Sequence, residues 1–438
     1  MNIARTTFGE DRGGAGPSVE NERQVMGSSR KFYEGGNYMT SNECLTPAAG
    51  FWNVTRRFFT QAVAAGLLLG VMTVPAVFAQ NWVLAPLYGS SAGVIGQLAM
   101  TTLKTNMVVT AVSTTTNNLE VIAWNDTGTK LARTGSATGD VIFPLWGVAI
   151  TALDSGRVVT AAANWNTSDL ELTVWKVSLT GAVSRQGKIA TGGLVTGVSI
   201  ATLDSGRVVT AVQNSKGNLT LKVWKITSAG VITSEGGFTV NTPATSIALV
   251  GLNASQMVTA FRNGKGNLEL ISWSIDGSGN LTRQGTATGG AVAKVSIAYW
   301  GPNIVTAVET EKAELGFETW SIDASGGMGS VFSTTAGSAY GVVALCMFPT
   351  QPHTPLPFTA VENSSYGLSL AAWYVVPNSG GYITELASYN GGAYVGAQLA
   401  VASEGPGRPY FVVTAVKNKS SNLVLRAWQL YQTTTTPE

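Results

Sequence analysis

The stretch VVTAVQNSKGNLTLKVW, residues 208–224, carries the pattern from which the architecture can be worked out. Its first five residues are small or β-branched, as in a strand that is buried on both faces. Residues 214–218 contain the Asn, Ser and Gly that favour a hairpin loop. From Leu219 onwards apolar and polar residues alternate, as they do in a half-buried strand. The stretch therefore predicts a β-hairpin.

The same hairpin pattern recurs along the chain, which indicates a repeat protein. A Val-Val-Thr-Ala string or a close variant begins at Val108, Val158, Val208, Met257, Ile304, Pro357 and Val412. A tryptophan follows the threonine of each string after 14 residues, or after 15 in the second copy, at Trp124, Trp175, Trp224, Trp273, Trp320, Trp373 and Trp428. We number these copies units 1 to 7 and call these residues the register tryptophans.

Each unit contains enough residues for four strands. In unit 3 the predicted strands are residues 198–203, 208–212, 219–226 and 231–236, and the first two are separated by the turn Asp204–Arg207. The first two strands are apolar on both faces and the fourth is polar. Four antiparallel strands that are buried inside and polar outside are typical of a propeller blade. The sequence predicts an all-β protein, a seven-bladed β-propeller of four-stranded antiparallel blades.

The two ends of the repeat region predict how the ring closes. The seventh copy stops near Leu430, after its third strand, and residues 81–88 lie where other units have their fourth strand. We expect the mature N-terminal strand to pair with the Trp428 segment and complete the last blade, which hides two sheet edges. The alternative is an open solenoid, which requires polar caps at its ends.

The first 79 residues are predicted to direct export. Residues 1–50 read as a disordered leader and residues 51–79 as a signal peptide, which leaves residues 80–438 for the propeller. Arg56 and Arg57 precede an apolar run that is too short to span a membrane, and cleavage is expected after Ala79. The arginine pair fits a twin-arginine signal or an ordinary secretion signal. Either one places the protein in the periplasm, on the cell surface or outside a bacterial cell.

Composition excludes several classes of partner. Only 12% of the residues are charged and the formal net charge is +2, so a nucleic-acid partner, which requires a basic stripe, is not expected. The chain contains two cysteines and one histidine, too few for a Cys/His metal site, and no cofactor is predicted. Cleavage would leave Cys346 as the single cysteine. No membrane span is expected after cleavage, and the oligomeric state stays open.

Aromatic residues supply the candidate ligand-binding sites. The register tryptophans can either stack on sugar rings or wedge between blades. Aromatic residues outside the register are more informative, because the repeat does not require them. Five of these lie in hairpin loops or crossovers that we expect to share one face of the disc, where they either bind a ligand or pack loosely across the mouth of the ring: Trp146, Trp165, Tyr340, Tyr389 and Tyr394.

The sequence predicts no catalytic residue. The seven predicted innermost strands contain no Asp, Glu or His, which argues against a carboxylate pair or a metal in the channel. Glu309, Glu311, Glu314 and Glu318 fit a solvated hairpin better than a catalytic pair, and His353 stands alone in an insertion. Three arginines recur in the fourth strand as edge guards or as ligands of sugar hydroxyls: Arg133, Arg185 and Arg283.

The unit Val-Val-Thr-Ala-Val-x-Asn-x-x-Gly-Asn-Leu-x-Leu-x-x-Trp resembles the propeller repeats of exported bacterial proteins, and residues 80–438 share this rhythm. It is also distantly similar to seven-bladed fucose-binding lectins, whose units carry a Gly/Asp-Asn-x-Leu hairpin followed by Trp. This resemblance implies a non-enzymatic recognition protein that binds a glycan. The alternative is a structural or protein–protein scaffold of the cell envelope or of an extracellular assembly. Solvent-facing rings beside Asn and Arg would favour the lectin, and rings buried between blades the scaffold.

Overall fold

A computed structural model describes residues 81–438, apart from residues 105, 145, 302, 349–355, 377–381, 404–410 and 434–438. The predicted leader, the predicted signal peptide and His353 lie outside the described residues. The described strands belong to the second of the two compact parts into which the chain divides, Val74–Glu438. In this part every regular element that is described is a β-strand, and the strands pair antiparallel. The all-β class predicted from the sequence is confirmed.

The strands follow one another at short intervals. In chain order they are β1 Asn81–Lys104, β2 Met107–Thr114, β3 Asn118–Asp126, β4 Leu131–Val141, β5 Val148–Asp154, β6 Arg157–Ala163, β7 Asp169–Val177, β8 Val183–Asp204, β9 Arg207–Asn214, β10 Asn218–Ile226, β11 Ile232–Asn253 and β12 Gln256–Asn263. They continue with β13 Asn267–Ile275, β14 Leu281–Trp300, β15 Asn303–Thr310, β16 Glu314–Ile322, β17 Met328–Ser338, β18 Tyr340–Phe348, β19 Leu356–Glu362, β20 Gly367–Val376, β21 Tyr382–Ser403, β22 Phe411–Asn418 and β23 Asn422–Thr433.

Hydrogen bonding groups the strands in fours. In unit 3 the second half of β8 pairs with β9, β9 with β10, and β10 with the first half of β11. β8 and β11 thus each serve two neighbouring groups. The sequence predicted a separate fourth strand followed by a separate first strand. This is correct for β4 and β5 and for β17 and β18, but wrong for β8, β11, β14 and β21, each of which spans both positions. In β8 and β11 register shifts mark the change of partner, and a residue with positive φ interrupts the extended backbone there, Gly193 in β8 and Ser246 in β11.

The predicted pairing of the two chain ends is confirmed. The first half of β1 pairs with β23, so that Val83 lies opposite Tyr431 and Pro86 opposite Trp428. The second half of β1 pairs with β2 of unit 1. β1 therefore supplies the fourth strand that unit 7 lacks, and it covers the edge that β23 would otherwise expose.

Burial follows the position of a strand within its group. The second strands are buried on both faces, the third strands are buried over most of their length, and the fourth strands are half-buried or exposed. The apolar clusters lie between neighbouring groups. One cluster joins Val159 and Leu172 of unit 2 to Trp224 of unit 3. Another joins Val413 of unit 7 to Trp124 of unit 1, so the packing continues across the junction of the chain ends.

A hydrogen bond repeats between each hairpin tip and the crossover that follows it. The accepting carbonyl belongs to a residue with positive φ at the end of the loop between the second and third strands. The donor–acceptor pairs, at 2.7–3.1 Å, are Ile142–Asn117, Val195–Ser168, Ala244–Gly217, Val292–Gly266, Ala339–Ala313, Tyr394–Tyr366 and Ile95–Ser421. The last pair links unit 7 to β1, so the chain ends follow the same rule as the interior units.

Candidate functional site

The register tryptophans are structural residues. All seven are at most 3% exposed, so a ligand cannot reach their rings. Each indole Nε1 donates a hydrogen bond of 2.8–3.0 Å to the threonine Oγ1 of the Val-Val-Thr-Ala string in its own unit, at Thr110, Thr160, Thr210, Thr259, Thr306, Thr359 and Thr414. The pair satisfies a buried donor, which explains why threonine and tryptophan recur together.

Trp165 belongs to a stack of three aromatic rings. Its indole is 44% exposed, and its ring centroid lies 4.7 Å from that of Phe143 at an angle of 33°. Trp146 covers Phe143 face to face, with 3.7 Å between centroids and an interplanar angle of 9°. Phe143 therefore contacts both indoles, that of Trp146 face to face and that of Trp165 at a tilt. We call Phe143, Trp146 and Trp165 the aromatic stack, and Trp165 presents its outer surface to solvent.

Backbone bonds fix the segments that carry the aromatic stack. The Trp165 N–H donates to the Val141 carbonyl at 3.0 Å, and the Phe143 N–H donates to the Ala163 carbonyl at 2.8 Å. Between them, residues 142 and 164 form an isolated antiparallel bridge. The crossover into unit 2 is therefore tied to the hairpin tip of the same unit. Phe143 and Trp146 also pack against the apolar cluster between units 2 and 3. This packing holds two of the three rings of the aromatic stack in place.

Asn164 organises the hairpin tip beneath Trp165. Its Oδ1 accepts the N–H groups of Asn166 at 2.9 Å and of Thr167 at 3.3 Å. Its Nδ2 donates to Glu171 Oε2 at 3.0 Å. Trp165 is the next residue in the chain and the first residue of the turn. Through Glu171 the amide joins a group of charged residues.

Four charged residues are linked to this amide through Glu171. Glu171 is only 4% exposed, and its Oε2 lies 3.7 Å from Lys188 Nζ. Asp140, from β4 of the preceding unit, binds Lys188 and lies 3.3 Å from Arg185 Nη1. Burial raises the pKa of Glu171. The hydrogen bond from Lys188 lowers the pKa of Asp140 and raises that of Lys188. We call Asp140, Glu171, Arg185 and Lys188 the charged cluster.

Tyr340 lies apart from the aromatic stack, in unit 6. Its side chain is 41% exposed, and its backbone pairs with Glu362 of β19. The next residue, Gly341, donates its N–H to Glu309 Oε2 at 3.0 Å. Burial raises the pKa of Glu362, and the nearby charge of Glu309 raises it further. Tyr340 thus stands beside two carboxylates, away from Trp146 and Trp165.

Tyr389 and Tyr394 are packing residues, although the sequence placed them among the candidates for binding. Tyr389 lies opposite Leu370 and its ring packs against Trp428, with 4.7 Å between centroids. Tyr394 donates its N–H to the Tyr366 carbonyl, so it fills the position that other units give to a buried aliphatic residue. Both rings pack against the apolar cluster of units 6 and 7.

Sequence reasoning missed two aromatic residues. Phe143 is the centre of the aromatic stack, and the signal was its position three residues before Trp146. Tyr366, at the hairpin tip of unit 6, is 66% exposed and has a φ of 57°. A bulky side chain seldom adopts positive φ. At the same loop position two other units have glycine.

The three arginines of the fourth strands are exposed, whereas of the four glutamates of unit 5 only Glu311 is exposed and the other three are half-buried. Arg133 pairs with Glu120 at 2.6 Å, and its side chain is 43% exposed. Arg283 lies 3.9 Å from Glu269. Of the four glutamates of unit 5, Glu318 accepts a hydrogen bond from Ser330 Oγ at 2.7 Å, and burial raises its pKa. Within the part of the chain that the structure describes, no group of three or more His, Cys, Asp or Glu residues is arranged to hold a metal ion.

Comparison with known proteins identifies no family or curated relative that would indicate the function. No protein-family model matches the chain, and no curated protein is significantly similar to it. Among the described residues of the range 81–433 there is no helix with the length and apolar character needed to cross a bilayer.

Proposed function

We propose that the chain is an exported, non-enzymatic recognition protein, a seven-bladed β-propeller that binds carbohydrate through the outer surface of Trp165. The four-stranded groups, the packing between unit 7 and unit 1 and the sevenfold tip-to-crossover bond support the ring. Strand contacts support it as well. β1 touches β5, β5 touches β8, β8 touches β11, β11 touches β14, β14 touches β18, β18 touches β21, and β21 touches β1.

The exposure of Trp165 in a fixed orientation is the observation that carries the binding proposal. An indole gains from burial, yet the Trp165 ring packs on Phe143 with only part of its surface and stays 44% exposed at a polar hairpin tip. The stack on Phe143 and the bond to Val141 hold the ring in place before any ligand arrives. A preorganised aromatic surface loses little side-chain entropy on binding.

Carbohydrate fits this surface better than a charged ligand does. The C–H face of a pyranose is apolar and flat and can cover an indole, while its hydroxyl groups remain free to bond with the polar tip residues Asn166 and Thr167. The chain as a whole carries a net charge of only +2, and the charged cluster is paired internally. Neutral, hydroxyl-rich ligands therefore suit the site.

A glycan array on the purified protein tests the proposal, with calorimetry on the best glycan. The Trp165→Ala variant should lose at least tenfold in affinity, because truncating a tryptophan that anchors a binding surface costs about 2 kcal/mol or more, which is about 30-fold. Tyr299→Ala is the matched control: Tyr299 is 39% exposed in β14 and lies outside the aromatic stack, so its removal should leave affinity unchanged. Absence of binding on the array at high protein concentration would overturn the carbohydrate assignment. If the protein is then retained by envelope fractions, it acts as a scaffold.

Export rests on residues 51–79 and has its own test. The arginine pair and the apolar run that follows it support a signal peptide. Cell fractionation of a tagged chain should find it outside the cytoplasm. Changing Arg56 and Arg57 to lysine should block export if the signal is of the twin-arginine type, and should have little effect on an ordinary secretion signal.

A further inference from the structure

The aromatic stack and the charged cluster are linked through one residue, Asn164. Asn164 holds the hairpin tip with its Oδ1 and binds the buried Glu171 with its Nδ2. Trp165 follows it directly in the chain. A shift of Asn164 therefore moves the backbone that carries the indole. We propose that Glu171 is a positioning residue for Trp165, and that its protonation loosens the ring and makes this surface pH-dependent.

Glu171 is the member of the charged cluster that takes up a proton first as the pH falls. Burial raises its pKa from an ordinary value of 4.5, so it takes up a proton above that pH. Asp140, whose pKa is lowered from 3.8, stays ionised there, and Lys188, whose pKa is raised from 10.5, stays protonated. The Nη1 of Arg185, on β8, lies 3.3 Å from Asp140 Oδ1. These are the charged groups that face Glu171 from β4 and β8.

Protonation weakens the anchor of Asn164. A bond from an amide to a carboxylate is charge-assisted and roughly twice as strong as one between neutral groups. Neutral Glu171 also loses its attraction to Lys188, 3.7 Å away. Lys188 then pairs with Asp140 alone. The hairpin tip is left with its backbone bonds, and Trp165 becomes more mobile as the pH falls.

Unit 4 provides a matched control within the same chain. There Asn263 Nδ2 donates to Glu269 Oε2 at 3.1 Å, the same contact as in unit 2. The loop after Asn263 carries Gly264 and Lys265 and has no aromatic residue, and Glu269 is paired with Arg283. Glu269→Gln therefore repeats the chemical change of Glu171→Gln without touching the anchor of Trp165.

This inference rests on the proposed role of Trp165, but its test needs no ligand. The full chain is labelled with 5-fluorotryptophan, and the ¹⁹F resonance of Trp165 is assigned with a Trp165→Phe variant. We expect that resonance to shift and sharpen along one titration curve with a midpoint above 4.5. Glu171→Gln should abolish the curve, and Glu269→Gln should leave it unchanged.

The outcomes separate the two proposals. A Trp165 resonance that titrates identically in Glu171→Gln and in the unsubstituted chain overturns the positioning role, whatever the glycan array shows.

Measuring the free energy of unfolding of Glu171→Gln shows whether the substitution disrupts the fold as a whole. Because the folded pKa of Glu171 is raised, stability falls as pH rises through the range above 4.5. Glu171→Gln should therefore be no less stable at pH 7, and a misfolded variant would be detected there.

Discussion

Replacing Thr210 by valine should destabilise the protein through a single hydrogen bond. Valine matches the shape of threonine but offers no acceptor to the Trp224 indole N–H, which Thr210 Oγ1 accepts at 2.9 Å. Both residues are fully buried, so water cannot replace the lost partner. A buried donor left without a partner costs about 1–3 kcal/mol, and we expect about 2 kcal/mol from urea unfolding.

A double-mutant cycle isolates this bond from packing. Trp224→Phe removes the indole N–H and part of the ring, and it costs stability through the cavity that it leaves. In that background Thr210→Val no longer orphans a donor, so its cost should nearly vanish. The coupling between the two changes should be about 1–2 kcal/mol. Thr233→Val, at an exposed position of β11, is the control and should alter stability by less than about 0.5 kcal/mol.

The cycle has a clear negative outcome. If Thr210→Val costs the same with and without the indole N–H, the pairing of threonine and tryptophan does not explain their repetition. The threonine would then be retained for some other property of the strand. Since the same contact occurs in all seven units, that result would remove the structural reason for the motif throughout the chain.

Two further predictions concern contacts that the structure makes explicit. Gly187→Ala should destabilise the protein by about 1–3 kcal/mol in urea unfolding, because a Cβ there would overlap the carbonyl of Gly230 in the next unit. The control is Gly192→Ala in the same strand, where the added Cβ meets open space and stability should not change. In a Cys44→Ser background, Cys346 should resist a thiol reagent at pH 8 until urea is added, because burial raises its pKa to about 12 and leaves a thiolate fraction of about one in ten thousand. Rapid labelling of the folded protein would contradict this account.

Much of the fold follows from the repeat, because burial acts on every unit in the same way. The apolar second strand, the alternating third strand and the hairpin between them could be predicted from residues 208–224. The closing strand could also be predicted, since unit 7 lacks a fourth strand and residues 81–88 have the character to supply one. The continuity of β8 across two groups could not be foreseen. Its crossover residues bond to a hairpin tip distant in sequence, which local propensity does not reveal.

The candidate site could be predicted only in part. Trp165 was identified because an indole at a polar tip breaks the pattern. Sequence alone could not distinguish Tyr389 from Trp165. The direction of a side chain in a crossover depends on the strand that it faces, and Tyr389 lies opposite Leu370 of β20. Counted back from the predicted strand that follows, Tyr340 has the same position in its unit as Trp146 has in unit 2. The tip-to-crossover bonds of Ile142 and Ala339 instead align Tyr340 with Phe143, because the crossover into unit 2 is longer.

The one exception to the 14-residue spacing between threonine and tryptophan lies at the same hairpin tip as the exposed indole. Thr160 and Trp175 are 15 residues apart, whereas the other six pairs are separated by 14. The extra residue lies in the hairpin tip of unit 2. There the Ser168 N–H donates to the carbonyl of Asn164, four residues earlier, whereas the corresponding hydrogen bond in the other units spans three residues. A longer surface loop costs little stability, and surface loops often carry binding residues. The repeated residues are committed to the fold, so the insertion that carries Trp165 is where selection for binding would act.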